Sequence, residues 1–221
     1  MKALLIAAAL IGIAAPSYAQ GTTDNVYASV AGGFAVAPDG TSGDLLGQVA
    51  VRIAPHLSVF GDLGQFHNLQ PSPVQTAVDS TDATLAAGGL SVTGVARVPA
   101  WYSMGGLRWT VPVNLRVSPY LFGGAGFARL TPSAQFTYTN GTLVGAVTPP
   151  TTGDDVTAQI VSLGDFTQPS TSTAFMFSVG GGVEAPIAPH LVADIGYRVS
   201  RVSADTPLNA HSITFGMGYR F

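Results

Sequence analysis

The chain of 221 residues contains no cysteine, and Lys2 is its only lysine. Without cysteine an exported protein has no disulfides to lean on and must be held by packing or by a closed hydrogen-bonded ladder. Eight arginines stand against twelve acids and the formal net charge is −3, so there is no basic surface for nucleic acid. Charge of either sign is scarce, at 10% of residues against the roughly 25% of a soluble domain. Yet beyond the N-terminal segment no run reaches 18 consecutive apolar residues, which excludes helical membrane spans. A chain that is 47% hydrophobic and lacks spanning helices has one membrane solution. That solution is a closed β-barrel, because every backbone N–H and C=O must find a partner in lipid.

What is present agrees. Met1-Lys2 is a short basic start, Ala3 to Ala15 is apolar, and Pro16-Ser17-Tyr18-Ala19 supplies small residues. The apolar run is too short to span, so residues 1–19 read as a secretory signal peptide cleaved after Ala19. Residues 20–221 then form one domain. At the C-terminus Ile213, Phe215, Met217, Tyr219 and Phe221 alternate with Thr214, Gly216, Gly218 and Arg220. Period-2 alternation puts the large apolar groups on one strand face and the small or polar ones on the other.

The same alternation predicts strands over Tyr27–Val36, Leu45–Ala54, Leu57–Gln65, Trp101–Thr110, Arg116–Leu130, Ala174–Ala185, Leu191–Val202 and His211–Phe221. Their connections alternate between tight turns and longer loops. Ile53-Ala54-Pro55-His56-Leu57 and Ile187-Ala188-Pro189-His190-Leu191 repeat one turn, and Pro112 marks a third. Residues 67–98 are expected to be a long loop with at most a local hairpin, and 131–172 a second long polar loop. Eight strands with tight turns at one rim and long loops at the other describe an all-β, antiparallel, up-and-down transmembrane barrel.

Gly123-Gly124-Ala125-Gly126-Phe127, Gly180-Gly181-Gly182-Val183-Glu184, Ile195-Gly196-Tyr197-Arg198 and the ending Tyr219-Arg220-Phe221 resemble the small outer-membrane barrel family. That class holds the OmpA transmembrane domain, OmpX-type proteins and opacity adhesins. The resemblance implies an outer-membrane protein of a Gram-negative-type cell, in contact with membrane lipid and lipopolysaccharide. It implies that Phe215, Met217, Tyr219 and Phe221 carry the signal read by the barrel-assembly machinery. The chain stops at the eighth strand, so wall anchoring by a following domain does not carry over.

Strand parity places Arg52, Asp62, Arg108, Glu184, Asp194, Arg198 and Arg220 opposite the apolar band, with Arg129 joining them. Charges inside so narrow a barrel must pair. They form either the plug of a narrow pore or a solid polar core, with inward Gly216 and Gly218 making room for long arginines. Trp101, Trp109, Tyr120, Phe122, Phe175, Tyr197, Tyr219 and Phe221 are expected on the lipid face as aromatic girdles. Asp39, Asp44, Asp79, Asp82, Asp154, Asp155, Asp165 and Asp205 are expected in the outer loops. They lack the spacing of a calcium loop, and no metal or cofactor is expected. His211-Ser212 suggests a hydrolase, but strand neighbours point to opposite faces and cannot share a site. The expected function is therefore non-enzymatic, either envelope-structural or adhesive to a host or surface ligand through loops 67–98 and 131–172. The alternative is a low-conductance channel.

Overall fold

The structure, a computed structural model, describes residues 25–38, 40–69, 72–113, 115–143, 148–204 and 207–221. The segment read as a signal peptide lies outside the described residues, as do Asp39 and Asp205. The elements in chain order are β1 (Val26–Ala37), β2 (Gly40–Ala54), β3 (Leu57–Phe66), α1 (Ser72–Ala87), β4 (Leu90–Arg97) and β5 (Ala100–Thr110). There follow β6 (Ser118–Leu130), β7 (Ser133–Gly141), α2 (Thr157–Leu163), β8 (Ser172–Pro186), β9 (Leu191–Ser203) and β10 (Leu208–Arg220).

Eight of the strands close in the order β1-β10-β9-β8-β6-β5-β3-β2. The seam is antiparallel, running from Tyr27 opposite Arg220 to Val36 opposite His211. Closure leaves the barrel wall without an edge strand. Side chains obey the pleat: Leu45, Leu121, Phe127, Ile195, Phe215 and Met217 point outward with half or more of their surface exposed. In water each would cost about 2 kcal/mol of unburied apolar area, so this wall is made for lipid. Among the described residues no helix is long and apolar enough to cross a membrane.

Three corrections to the sequence reading concern the strands. Asp44 is not in a loop, because β2 begins at Gly40 and carries Asp44 inward, where it is buried. Tyr120 and Phe122 face the lumen rather than lipid, although Trp101, Trp109, Phe175, Tyr197, Tyr219 and Phe221 are exposed outside. Gly218 makes room for a tyrosine rather than an arginine, since a Cβ there would lie 2.3 Å from Tyr27 Cε2.

The two long loops are also not loops. β4 pairs with β7 in a separate two-stranded sheet, and α1 packs on β4. Arg97 stands opposite Ser133 and Ala100 opposite Leu130, so β4 prolongs β5 and β7 prolongs β6. Residues 90–141 are thus one hairpin, broken where Pro99 and Pro132 interrupt the ladder. Only Thr131 N, donating to Pro99 O at 2.9 Å, stitches the break.

Above it Val78, Leu85, Phe136, Val156, Ile160 and Phe166 form the core of a cap. The β4 edge of its sheet is closed by side chains and the β7 edge by Gln168 together with the backbone of residues 153–156. Gln168 accepts from Ala134 N at 3.1 Å and donates to Ala134 O at 2.9 Å, while Val156 N donates to Phe136 O at 3.0 Å. On β4, Gln75 accepts from Ala96 N at 2.8 Å and Asp82 accepts from Gly94 N at 2.8 Å. Burial raises the Asp82 carboxyl above its ordinary range, whereas hydrogen bonds from Thr151 and Thr157 hold Asp154 and Asp155 below it.

Under the cap, Phe66, Leu69, Val98, Tyr102, Met176 and Leu208 fill the upper lumen. Gly64 is part of that packing: a Cβ would lie 2.2 Å from Tyr102 Cζ. Gly64→Val is expected to displace the Tyr102 ring and cost about 1–3 kcal/mol, read as a lower urea midpoint of the refolded barrel. Gly61→Val is the control, because nothing lies within 4 Å of its Cβ position, and it should leave the midpoint unchanged.

Candidate functional site

A strand that keeps one face in lipid places its buried charge in the lumen. Each barrel acid among the described residues, Asp44, Asp62, Glu184 and Asp194, is carried inward by β2, β3, β8 or β9. Three arginines meet them from β5, β9 and β10. Glu184 receives Arg108 on one carboxylate oxygen and Arg220 Nη2 on the other, the latter at 2.6 Å. Arg198 pairs with Asp62.

Gln48 joins the two groups. Its Oε1 accepts from Arg108 Nη1 at 3.1 Å and its Nε2 donates to Asp62 Oδ1 at 2.8 Å. Tyr102 extends the chain upward, its hydroxyl donating to Asp44 Oδ1 at 3.3 Å. The result is a continuous ladder from Arg220 through Glu184, Arg108, Gln48, Asp62 and Arg198 to Tyr102 and Asp44. It crosses the lumen between six side-chain-bearing strands and stitches distant parts of the wall together.

Aromatic rings line the ladder. The Arg108 guanidinium carbon lies 3.7 Å from the Tyr120 ring centroid and 5.1 Å from that of Tyr27. Arg198 sits 5.0 Å from the Phe122 ring. A guanidinium over a ring face keeps part of its charge stabilisation without water. Tyr120 also donates its hydroxyl to Asp194 Oδ1 at 3.1 Å. These contacts are the physical reason that Tyr120 and Phe122 turn inward. A cavity of about 20 Å³ beside Gln48, Asp194 and Thr214 has room for about one water, and Asp194 Oδ2 has no protein partner.

Two members of the expected cluster are elsewhere. Arg129 is exposed on the outer wall, because turning Tyr120 and Phe122 inward puts every odd-numbered residue of β6 outside. Arg52 is exposed at the tight-turn rim, next to a register shift between Arg52 and Ala54. Gln48, Tyr27 and Tyr102 were not among the expected residues. Gln48 lies four residues after Asp44 on the same strand face, which is the signal that marks it.

Ser212 is buried, and His211 is exposed with its Nδ1 2.8 Å from the Tyr197 hydroxyl, so the two point apart. Among the described residues no three of His, Asp or Glu gather in a metal-binding group. His56 takes φ 65° after Pro55, which makes it the left-handed residue of a tight turn. His190 stacks on Tyr219 with centroids 5.6 Å apart.

Removing the acid shared by two arginines is the severest test of the ladder. Glu184→Gln should destabilise the refolded barrel by about 3–5 kcal/mol, because it leaves Arg108 and Arg220 without their counter-charge. Ser103→Ala, exposed on the outer wall away from the ladder, should stay within about 0.5 kcal/mol of the parent in the same urea titration.

A family model described as the outer membrane protein beta-barrel domain matches residues 5–221. No curated protein matches the chain. Among solved structures, Neisserial surface protein A aligns with a TM-score of 0.53 at 17% identity, over 91% of this chain and 100% of its own. A major outer membrane protein of Thermus thermophilus aligns with a TM-score of 0.49 at 13% identity, over 89% and 98%. Ail, the attachment invasion locus protein of Yersinia pestis, aligns with a TM-score of 0.46 at 15% identity, over 89% and 97%. The likeness to the first is one of fold.

Proposed function

This chain belongs to the outer membrane protein beta-barrel domain family, and on that premise we propose that it is a non-enzymatic surface scaffold. The barrel holds a folded cap outward from the membrane, and the cap engages a host or surface ligand. The carrying observation is that both long connections are spent on one folded unit with a shared sheet and core. A helix, a two-stranded sheet from two separate connections and a common apolar core have no use to a barrel that is already closed. The long-loop rim faces the cell exterior and the tight-turn rim, with both chain ends, faces the periplasm, in keeping with the layout of such barrels.

The lumen supports the same reading against a channel. Ion pairs cross its lower part, and Phe66, Tyr102, Met176 and Leu208 pack its upper part. The apolar packing surrounds Asp44, which stands level with Phe66 and takes the Tyr102 hydroxyl, so the upper lumen offers an ion no open path. Export by an N-terminal signal peptide and insertion by the barrel-assembly machinery through the terminal aromatic strand belong to this proposal.

Refolded protein in a planar bilayer is expected to show no reproducible conductance steps, with gel migration that shifts on heating as the proof of folding. Steps that disappear in Arg108→Met would instead establish a pore. Excision of residues 72–97 and 133–168 is expected to leave heat-shifted migration intact while cells lose attachment to whatever surface the parent protein binds. Equal attachment by the excised form would separate adhesion from the cap.

A further inference from the structure

The cap sheet ends on a dipeptide that neither the lumen nor the cap core uses. Asn140 and Gly141 close β7, and both are exposed to water. Of the chain's five asparagines this one alone precedes a glycine, for Asn25, Asn68, Asn114 and Asn209 precede Val26, Leu69, Leu115 and Ala210. With no side chain on the residue that follows, its backbone nitrogen is free to approach the asparagine carboxamide.

The fold brings the two groups together. Gly141 N donates to Asn140 Oδ1 at 2.8 Å, which sets the nitrogen alongside the carboxamide carbon Cγ. Gly141 is held in that position by its surroundings. Its φ is 107°, open to glycine and strained for other residues, and a Cβ would lie 2.1 Å from Gly89 O. Tyr138 donates its hydroxyl to Gly141 O at 2.8 Å, and Gly141 stands opposite Leu90. Ser91 is opposite Asn140 and Val92 opposite Tyr138, so Thr139 is an extra residue and the strand is bulged beside the pair.

We infer that Asn140 is a self-modification site, where the folded cap promotes loss of the side-chain amide to water. Gly141 N gives its proton to hydroxide and bonds to Cγ. Ammonia leaves with a proton returned by water, and a cyclic imide remains. Water then opens the ring: breaking the bond from Cγ to nitrogen gives aspartate, and breaking the bond from the Asn140 main-chain carbonyl carbon to nitrogen gives isoaspartate. The sum is one water in and one ammonia out, with no oxidant and no enzyme. Either product adds a negative charge to a cap that carries Asp79, Asp82, Asp154, Asp155 and Asp165 against Arg97. Isoaspartate also runs the main chain through Cβ and Cγ, which inserts a carbon just before the partner of Leu90, a member of the cap core. The last pair of the cap sheet is loosened, while the barrel ladder beyond Pro99 and Pro132 is left alone. The site stands whether or not the cap is adhesive.

The test holds the refolded protein in warm, mildly alkaline buffer and follows intact mass and released ammonia with time. One amide is expected to be lost first, mapped to Asn140, at a rate that rises in proportion to hydroxide. The rate should be several-fold faster than in a free peptide of residues 135–143 in the same buffer. N140Q, whose imide ring would be one atom larger, should fold with the parent's heat-shifted migration and lose no amide at that position over the same period. Aged parent protein should keep its heat-shifted migration while the backbone amides of residues 89–92 exchange faster with deuterium. The inference is overturned if the folded protein loses the amide no faster than the peptide, or if another asparagine is lost first. Unchanged exchange at residues 89–92 in the aged protein overturns the loosening of the cap sheet.

Discussion

Glu184 accepts two guanidiniums from opposite sides of the lumen, and most of the barrel interior is arranged around that fact. Arg108 comes from β5 and Arg220 from the last strand, so one carboxylate ties the closing strand to the far wall. Leaving one charge unpaired in so small a volume costs about 3–5 kcal/mol, so the members of the ladder depend on one another. Tyrosine rings beside Arg108 and Gln48 bridging to Asp62 follow from the same requirement. The polar interior is therefore a fastening whose parts depend on one another.

That dependence explains where the sequence could be read and where it could not. In β10 a large apolar set opposes a small or charged one, and in β5 Trp101, Leu107 and Trp109 oppose Arg108, so phase follows from alternation, and Arg108 and Arg220 fall inside. In β6 both phases carry large apolar residues, Tyr120 and Phe122 on one and Leu121 and Phe127 on the other. The choice is made by Arg108 and Arg198 on other strands, information that no local pattern holds. Once the phase of β6 is reversed, Arg129 moves outside with it. α1 escaped for a different reason: Val74, Val78 and Leu85 have helical spacing, but they are diluted by Ser, Thr and Ala. Its sheet partner β7 lies in a different connection, beyond the reach of a reading that looks for hairpins within one loop.

The molecule thus stacks three chemistries along one axis. The ion pairs lie in the lower lumen, apolar side chains packed about Asp44 and Tyr102 fill the upper lumen, and a cap with its own core stands above. Lipid lies outside the wall, ion pairs and packed side chains lie within it, and side-chain amides reach both edges of the cap sheet. Edge closure matters because bare strands would pair with other chains. Gln75, Asp82 and Gln168 remove that hazard with single side chains.

The hairpin broken at Pro99 and Pro132 has a mechanical meaning. Both of its arms run from the cap straight down through the membrane wall and meet in the tight turn on the far side. Tension on anything the cap holds passes into β5 and β6 along their length, and all the ladder bonds of those strands resist it together. Loads in that direction must shear many hydrogen bonds at once, whereas a cap hung from one side would peel them singly. The two prolines interrupt the ladder between cap and barrel while the covalent path through both arms stays unbroken.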